Sequence, residues 1–168
     1  MRMRIERVED QDIVREIHLS AFEGVSEANL VDRLRHDTLE YISLVAENNN
    51  NEIVGHIMFS PVRIEGSGDI VIMGLAPVSV KPEEQNKGYG SGLIKAGLIE
   101  CLKRNVDAVV LLGHAAYYPR FGFKASTQFD MTCEYDVPPE CFMVLELKPA
   151  SLDTVSGIVR YHPAFKEL

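Results

Sequence analysis

Apolar residues recur along this chain in more than one rhythm, and each rhythm predicts an element. Ile13, Val14, Ile17, Ala21 and Phe22 stand at helical spacing, which puts them on one face of a helix that Asp10 or Asp12 can cap. Leu30, Val31 and Leu34 repeat the pattern in a second helix beginning at Ser26. Ile94, Leu98, Cys101 and Leu102 repeat it in a third, from Gly88 to about Arg104, ended by Asn105. Extended runs lie between these: Met3 to Val8, Ile42 to Glu47, Ile53 to Arg63 with Gly55 interrupting it, and Ile70 to Val80. The runs Asn48 to Asn51 and Gly66-Ser67-Gly68-Asp69 are turn signals, since Asn and Gly tolerate left-handed backbone angles. Ala108 to Leu112 is continuously apolar, as in strands covered on both faces. Ala115 to Arg120 suggests a short helix, and Phe142 to Leu147 a last core strand before Pro149. Leu152 to Leu168 has mixed strand and turn character. The order predicts one α/β domain over residues 1–168: an antiparallel meander, then a strand–helix–strand unit, with no linker or internal repeat.

Charge and cysteine content narrow the classes. Seventeen Lys and Arg against 25 Asp and Glu leave the 168-residue chain at a net charge of -8, which argues against nucleic acid as a partner. Cys101, Cys133 and Cys141 contain no C-x-x-C pair and are odd in number. They make neither a zinc cage nor a disulfide framework and suit a reducing cytoplasm. Met1-Arg-Met-Arg runs into Ile5-Glu-Arg without an apolar segment behind it, so no secretory signal is expected. No apolar run approaches the roughly 20 residues that span a bilayer, so no membrane association is expected. The histidines show no metal-ligand spacing, and no metal is expected.

The segment richest in chemistry runs from Pro77 to Ile94. A strand ends near Val80, Pro82 stops its ladder, and Gly88, Gly90 and Gly92 open a helix. Glycines there let several N–H groups converge on one spot, and the positive end of the helix dipole completes an anion site suited to a pyrophosphate. Lys81 and Lys87 would add charge for a further phosphate. Two better-known phosphate loops fail on spacing. No glycine precedes a Lys-Ser or Lys-Thr pair, and the third glycine of G-x-G-x-x-G would fall on Leu93.

Gln85-Asn86-Lys87-Gly88-Tyr89-Gly90 matches the Q/R-x-x-G-x-G/A acetyl-coenzyme A signature of the GNAT acyltransferase superfamily. Val78-Ser79-Val80-Lys81-Pro82 resembles that family's bulged fourth strand, and Leu93-Ile94 the helix after it. Leu111 to Phe123, ending Tyr117-Tyr118-Pro119-Arg120-Phe121-Gly122-Phe123, is similar to the family's second block, and Phe142 to Pro149 to its closing strand. This is the pattern of a branch of predicted N-acetyltransferases. The resemblance covers roughly residues 3 to 150; the residues after Ala150 match nothing in it.

The resemblance implies a mixed, mostly antiparallel central sheet with splayed middle strands and flanking helices. It implies acetyl-CoA as cosubstrate, with the backbone at Val78, Ser79 and Val80 bonding the pantetheine arm. Gln85, Asn86, Lys87, Gly88, Tyr89, Gly90 and Ser91 would hold the pyrophosphate. A primary amine, on a small molecule or a peptide, attacks the thioester directly, so no nucleophilic Cys or Ser is needed. Tyr118, four residues before Gly122, stands where the family's general acid usually stands, and a phenol can return a proton to the departing thiolate. His114, at the end of an apolar strand, is expected where the strands splay and would accept the amine's proton. Glu23, Glu27 and Asp32 surround the first two helices, where the family places its acceptor-facing loop; an acid there would bind a cationic amine. The acceptor's identity is left open, as is a homodimer. The alternative of another class is a degenerate coenzyme A-binding sensor or interaction module without turnover.

Overall fold

A computed structural model describes residues 1–168. The chain forms two compact units of interleaved segments: Met1–Ser60, Ala76–Glu100 and Pro163–Leu168 in the first, Pro61–Leu75 and Cys101–His162 in the second. Within a mixed sheet the strands follow the order β1 (Arg2–Ile5), β2 (Ile42–Glu47), β3 (Ile53–Ile64), β4 (Ile72–Val80), β5 (Ala108–Leu112), β8 (Phe142–Glu146) and β6 (Lys124–Ala125), with β9 (Gly157–Arg160) beside β3 and β7 (Met131–Cys133) beside β9. Most pairings are antiparallel.

In the first unit, β1 (Arg2–Ile5), β2 (Ile42–Glu47) and β3 (Ile53–Ile64) form the expected antiparallel meander. β2 is buried at every position, so its outward face is covered rather than wet. Helices α1 (Gln11–Ala21) and α2 (Ser26–Asp37) bury Val14, Ile17, Leu30, Val31 and Leu34, the stripe that their spacing predicts. Asp10 precedes α1, yet its carboxylate does not cap the helix. It accepts the Arg7 N–H at 2.7 Å and both Nη atoms of Arg4 at 2.6 and 3.0 Å. Arg4 Nε also donates to Glu47 at 2.5 Å, tying β1 to β2 through a nearly buried guanidinium. The bidentate Arg4 bond holds the Asp10 carboxyl below the usual range.

Helix α3 (Tyr89–Lys103) carries Leu93, Ile94, Leu98 and Cys101 inward. Leu102, expected on that face, is 47% exposed; the stripe instead turns through Leu93. No helix is long and apolar enough to cross a membrane.

In the second unit, the start of β4 (Ile72–Val80) runs parallel to β5 (Ala108–Leu112), in register from Ile72–Ala108 to Gly74–Val110. The ladder stops there although β4 continues to Val80, so the strand's second half lacks a partner on that side. β5 pairs antiparallel with β8 (Phe142–Glu146), and β8 with β6 (Lys124–Ala125). Two short strands, β7 (Met131–Cys133) and β9 (Gly157–Arg160), run parallel, and β9 also pairs with the end of β3. Neither β6 nor β7 has a readable period, because two or three residues are too few to show alternation. The helix expected at Ala115 to Arg120 is a turn followed by a 3-10 segment at Tyr118–Phe121, shifted by Pro119 and closed by Gly122 in the left-handed region at φ 95.

Candidate active site

Two features of the first unit shape the segment expected to face an anion. A 3-10 turn at Pro82–Glu84 follows β4, and Lys81 N–H bonds Val54 C=O at 2.8 Å, anchoring the chain as the strand ends. Asn86 (φ 61) and Gly88 (φ 91) then adopt left-handed angles, which swing the backbone into α3. Gly88 fits its angle without strain, and Asn86 is among the few other residue types that tolerate it. The Gly92 N–H bonds the Gly88 carbonyl at 2.9 Å as α3 begins. N–H groups ahead of that bond point out of the helix end with the positive end of the dipole. The Gln85 side-chain amide donates to Val80 C=O at 3.1 Å, bracing the turn against the strand. Lys87 is exposed and pairs with Glu84 at 3.1 Å. Tyr89 is buried.

Along β4, Val78 and Val80 are half-buried, whereas Ser79 is buried on the opposite face. Ser79 Oγ lies 3.5 Å from His18 Nε2. Beyond it runs a polar chain that sequence reading misses. His18 Nε2 is 2.8 Å from His56 Nδ1, His56 Nε2 is 2.7 Å from Ser43 Oγ, and the Ser43 hydroxyl donates to Glu6 Oε2 at 2.6 Å. Arg35 binds the same carboxylate through Nη2 and Nε, and Asp32 through Nη1 at 2.8 Å. His18 is 1% exposed and His56 0%. Burial, with the Arg35 charge adding to it, pushes the His18 imidazole down to about 4. Burial, the facing His18 and Arg35 hold His56 well below its ordinary value. Both rings are therefore neutral at pH 7. The signal was present in outline: His18 interrupts the apolar stripe of α1, and His56 sits inside an apolar strand.

In the second unit, Tyr118 begins the 3-10 segment after β5, half-buried. Its ring packs edge-on against Phe123 at 5.9 Å between centroids and against Tyr117 at 5.1 Å. It also lies against Gly113, where a Cβ would collide with Tyr118 Cε2. Tyr117 thus lies against Tyr118, and the Arg120 guanidinium sits 4.3 Å above the Tyr117 ring. Burial raises the Tyr118 phenol above its ordinary pKa, so it rests protonated. His114 is exposed; its carbonyl accepts the Tyr117 N–H at 3.0 Å. Of the acids near α1 and α2, Asp32 is engaged by Arg15 at 2.5 Å as well as by Arg35, while Glu23 is exposed and Glu27 half-buried. None of the three cysteines forms a disulfide, and burial pushes the Cys133 thiol up, away from nucleophilic thiolate.

A model of the acetyltransferase (GNAT) domain matches residues 3–126. The protein named uncharacterized N-acetyltransferase YhbS, of Escherichia coli K12, is 34% identical over 145 residues, covering 86% of this chain and 86% of that protein. A crystal structure of the GNAT family N-acetyltransferase YhbS from Escherichia coli in complex with CoA gives a TM-score of 0.92 at 32% identity, over 98% of this chain and 91% of that one. A GNAT family acetyltransferase from Brucella melitensis in complex with acetyl-CoA gives 0.79 at 36% identity, over 98% and 97%. Matched over most of its length in both sequence and fold, the chain belongs to the GNAT family of acetyltransferases.

Proposed function

We propose that the chain, acting as one acetyltransferase domain, transfers an acetyl group from acetyl-CoA to a primary amine by direct attack in a ternary complex. The observation that supports this most is the turn at Gln85–Ser91, whose two left-handed residues deliver a helix N-terminus beyond a strand end that is unpaired on its β5 side. A pyrophosphate suits that turn, and Val78, Ser79 and Val80 offer backbone groups for an extended amide-bearing arm. The relatives crystallised with CoA and acetyl-CoA support the same ligand. Acceptor classes consistent with the chemistry are polyamines, amino acids, aminoglycosides and peptide N-termini.

Catalysis in this reading rests on orientation with proton transfer added. Tyr118, protonated at rest, returns a proton to the thiolate of CoA as the thioester C–S bond breaks. His114, exposed beyond β5, is read as one acceptor for the proton that the amine loses. Tyr118→Phe keeps the ring and its packing while removing the proton donor. The rate is expected to fall roughly 10²–10⁴-fold, in kcat and kcat/KM together, with CoA affinity nearly unchanged. Tyr117→Phe is the control and should be mild. Equal behaviour of the two variants, or near-full turnover of Tyr118→Phe with chemistry rate-limiting, would remove Tyr118 from the mechanism.

A further inference from the structure

The buried chain Glu6–Ser43–His56–His18 has a direction that can be worked out atom by atom. A carboxylate only accepts hydrogen bonds, so the Ser43 hydroxyl must spend its one proton on Glu6 Oε2. Ser43 Oγ is then an acceptor toward His56, which requires the proton of His56 on Nε2. His56 Nδ1 is therefore bare and accepts from His18, which requires the His18 proton on Nε2. What remains is His18 Nδ1, a bare lone pair, buried and without a hydrogen-bond partner. A buried unmet acceptor is costly in a neutral structural network, on the order of 1–3 kcal/mol. The chain terminates in the last turn of α1, beside Ser79 of β4 and directly before the connection to α2.

We propose that this chain is the proton outlet of the transfer reaction, with His18 Nδ1 taking the proton of the attacking amine. The inference rests on reading the chain as an amine acetyltransferase. The shift balances as four linked transfers. An N–H bond of the substrate ammonium breaks and His18 Nδ1–H forms, leaving the free amine to attack; His18 Nε2–H passes to His56 Nδ1; His56 Nε2–H passes to Ser43 Oγ; the Ser43 proton passes to Glu6 Oε2. One proton has moved, Glu6 has become a neutral acid, and both imidazoles have exchanged tautomers without carrying charge. Burial and the Arg35 charge disfavour imidazolium at either ring, and a relay needs none. The groups facing the rings are Ser43 from β2, Ser79 from β4, Arg35 from α2, Phe22 stacked on His18 at 6.0 Å, and Glu6 ahead of α1. The reverse shift after product release returns the proton to water. His18, 1% exposed in the unliganded chain, would meet the substrate only once the stacked Phe22 at the end of α1 moves aside; His56, Ser43 and Glu6 act through it.

Two measurements test this. In ¹⁵N-histidine NMR at pH 7.5, both buried rings should be neutral Nε2–H tautomers; His18 carrying its proton on Nδ1 would overturn the proposal whether or not an acceptor is known. In kinetics, acetyl-CoA is offered with spermidine, lysine, kanamycin and a peptide with a free N-terminus, and CoA release is followed. His18→Gln and His56→Gln should each lose roughly 10²-fold or more in kcat/KM at pH 7. Their double variant should lose no more than either single one, as for residues acting as a unit. The deficit should shrink toward pH 9.5, where the free amine supplies itself, while acetyl-CoA affinity stays within a few-fold. Near-wild-type turnover of His18→Gln, or a deficit constant across pH as a packing role would give, overturns the relay. So does a pH-dependent deficit found in His114→Ala and absent from His18→Gln. If wild type binds acetyl-CoA yet acetylates none of the four probes, the amine reading fails separately and the tautomer result alone decides the relay's direction.

Discussion

At the scale of single residues, the two buried histidines set how this fold responds to acid. Unfolded, each imidazole titrates near 6.5. Folded, His18 is pushed down to about 4 and His56 is held well below its ordinary value. Between those limits the unfolded chain binds protons that the native one refuses, so stability is full above about pH 6.5 and falls as the pH drops toward 4. Each histidine contributes a slope approaching 1.4 kcal/mol per pH unit in that window. Urea unfolding at half-unit pH steps should show nearly twice that slope in wild type and about half of it after His18→Gln. A flat profile would mean that the rings are already charged or hydrated in the native state. Asp10 adds a second, lower window. Its carboxyl is held down chiefly by Arg4, so that contribution is present above about pH 4 and lost as the pH falls below it.

Among elements, α3 depends most on a small residue. Gly97 faces Phe59 of β3, and a Cβ there would collide with the ring at Cε2 and Cζ. Two effects compete in Gly97→Ala. Helix propensity favours Ala by about 1 kcal/mol. Overpacking a well-filled site costs typically 1–3 kcal/mol, and Phe59 is fully buried with no room to yield. The clash should win, giving a net loss on the order of 1 kcal/mol in denaturant midpoint with the transition slope unchanged. Gain of stability would show that α3 can slide on β3. The glycines in front of this helix and within it thus serve different ends. Gly88 turns the chain, whereas Gly97 admits a neighbouring ring, and spacing alone does not separate these uses.

For the molecule as a whole, binding of acetyl-CoA would be linked to folding. If the turn at Gln85–Ser91 is preformed for a pyrophosphate, acetyl-CoA at 100 times its dissociation constant should stabilise the native state by about 2.7 kcal/mol. For a chain of this size that is a rise of roughly 5–11 °C in Tm. Gly90→Asp places a carboxylate at the anion-facing end of α3 and should abolish the rise while leaving the unliganded Tm within a few degrees. NADH and ATP should substitute poorly. A flat response of wild type to millimolar acetyl-CoA would remove that turn from the cofactor site.

Much of this organisation is local and was legible in the order of residues. β2 and β5 begin and end where their apolar runs do, and α2 starts at the expected Ser26, because buried strands and amphipathic helices write their burial directly into their period. The family signature is also local: six consecutive residues, Gln85 to Gly90, carry the resemblance, since one turn and one helix end suffice to write such a motif. Features that depend on distant pairs were not legible. β6 and β7 exist because longer strands offer them edges. Asp10 looks like a helix cap and is instead the partner of Arg4, since a guanidinium from β1 outcompetes backbone N–H groups for its oxygens. His18, His56, Ser43 and Glu6 are scattered over β2, β3, α1 and the approach to it, and nothing in the neighbours of any one names the others. Their chemistry arises only where the meander and α1 close over them, taking water away so that each polar atom must find its partner inside the fold.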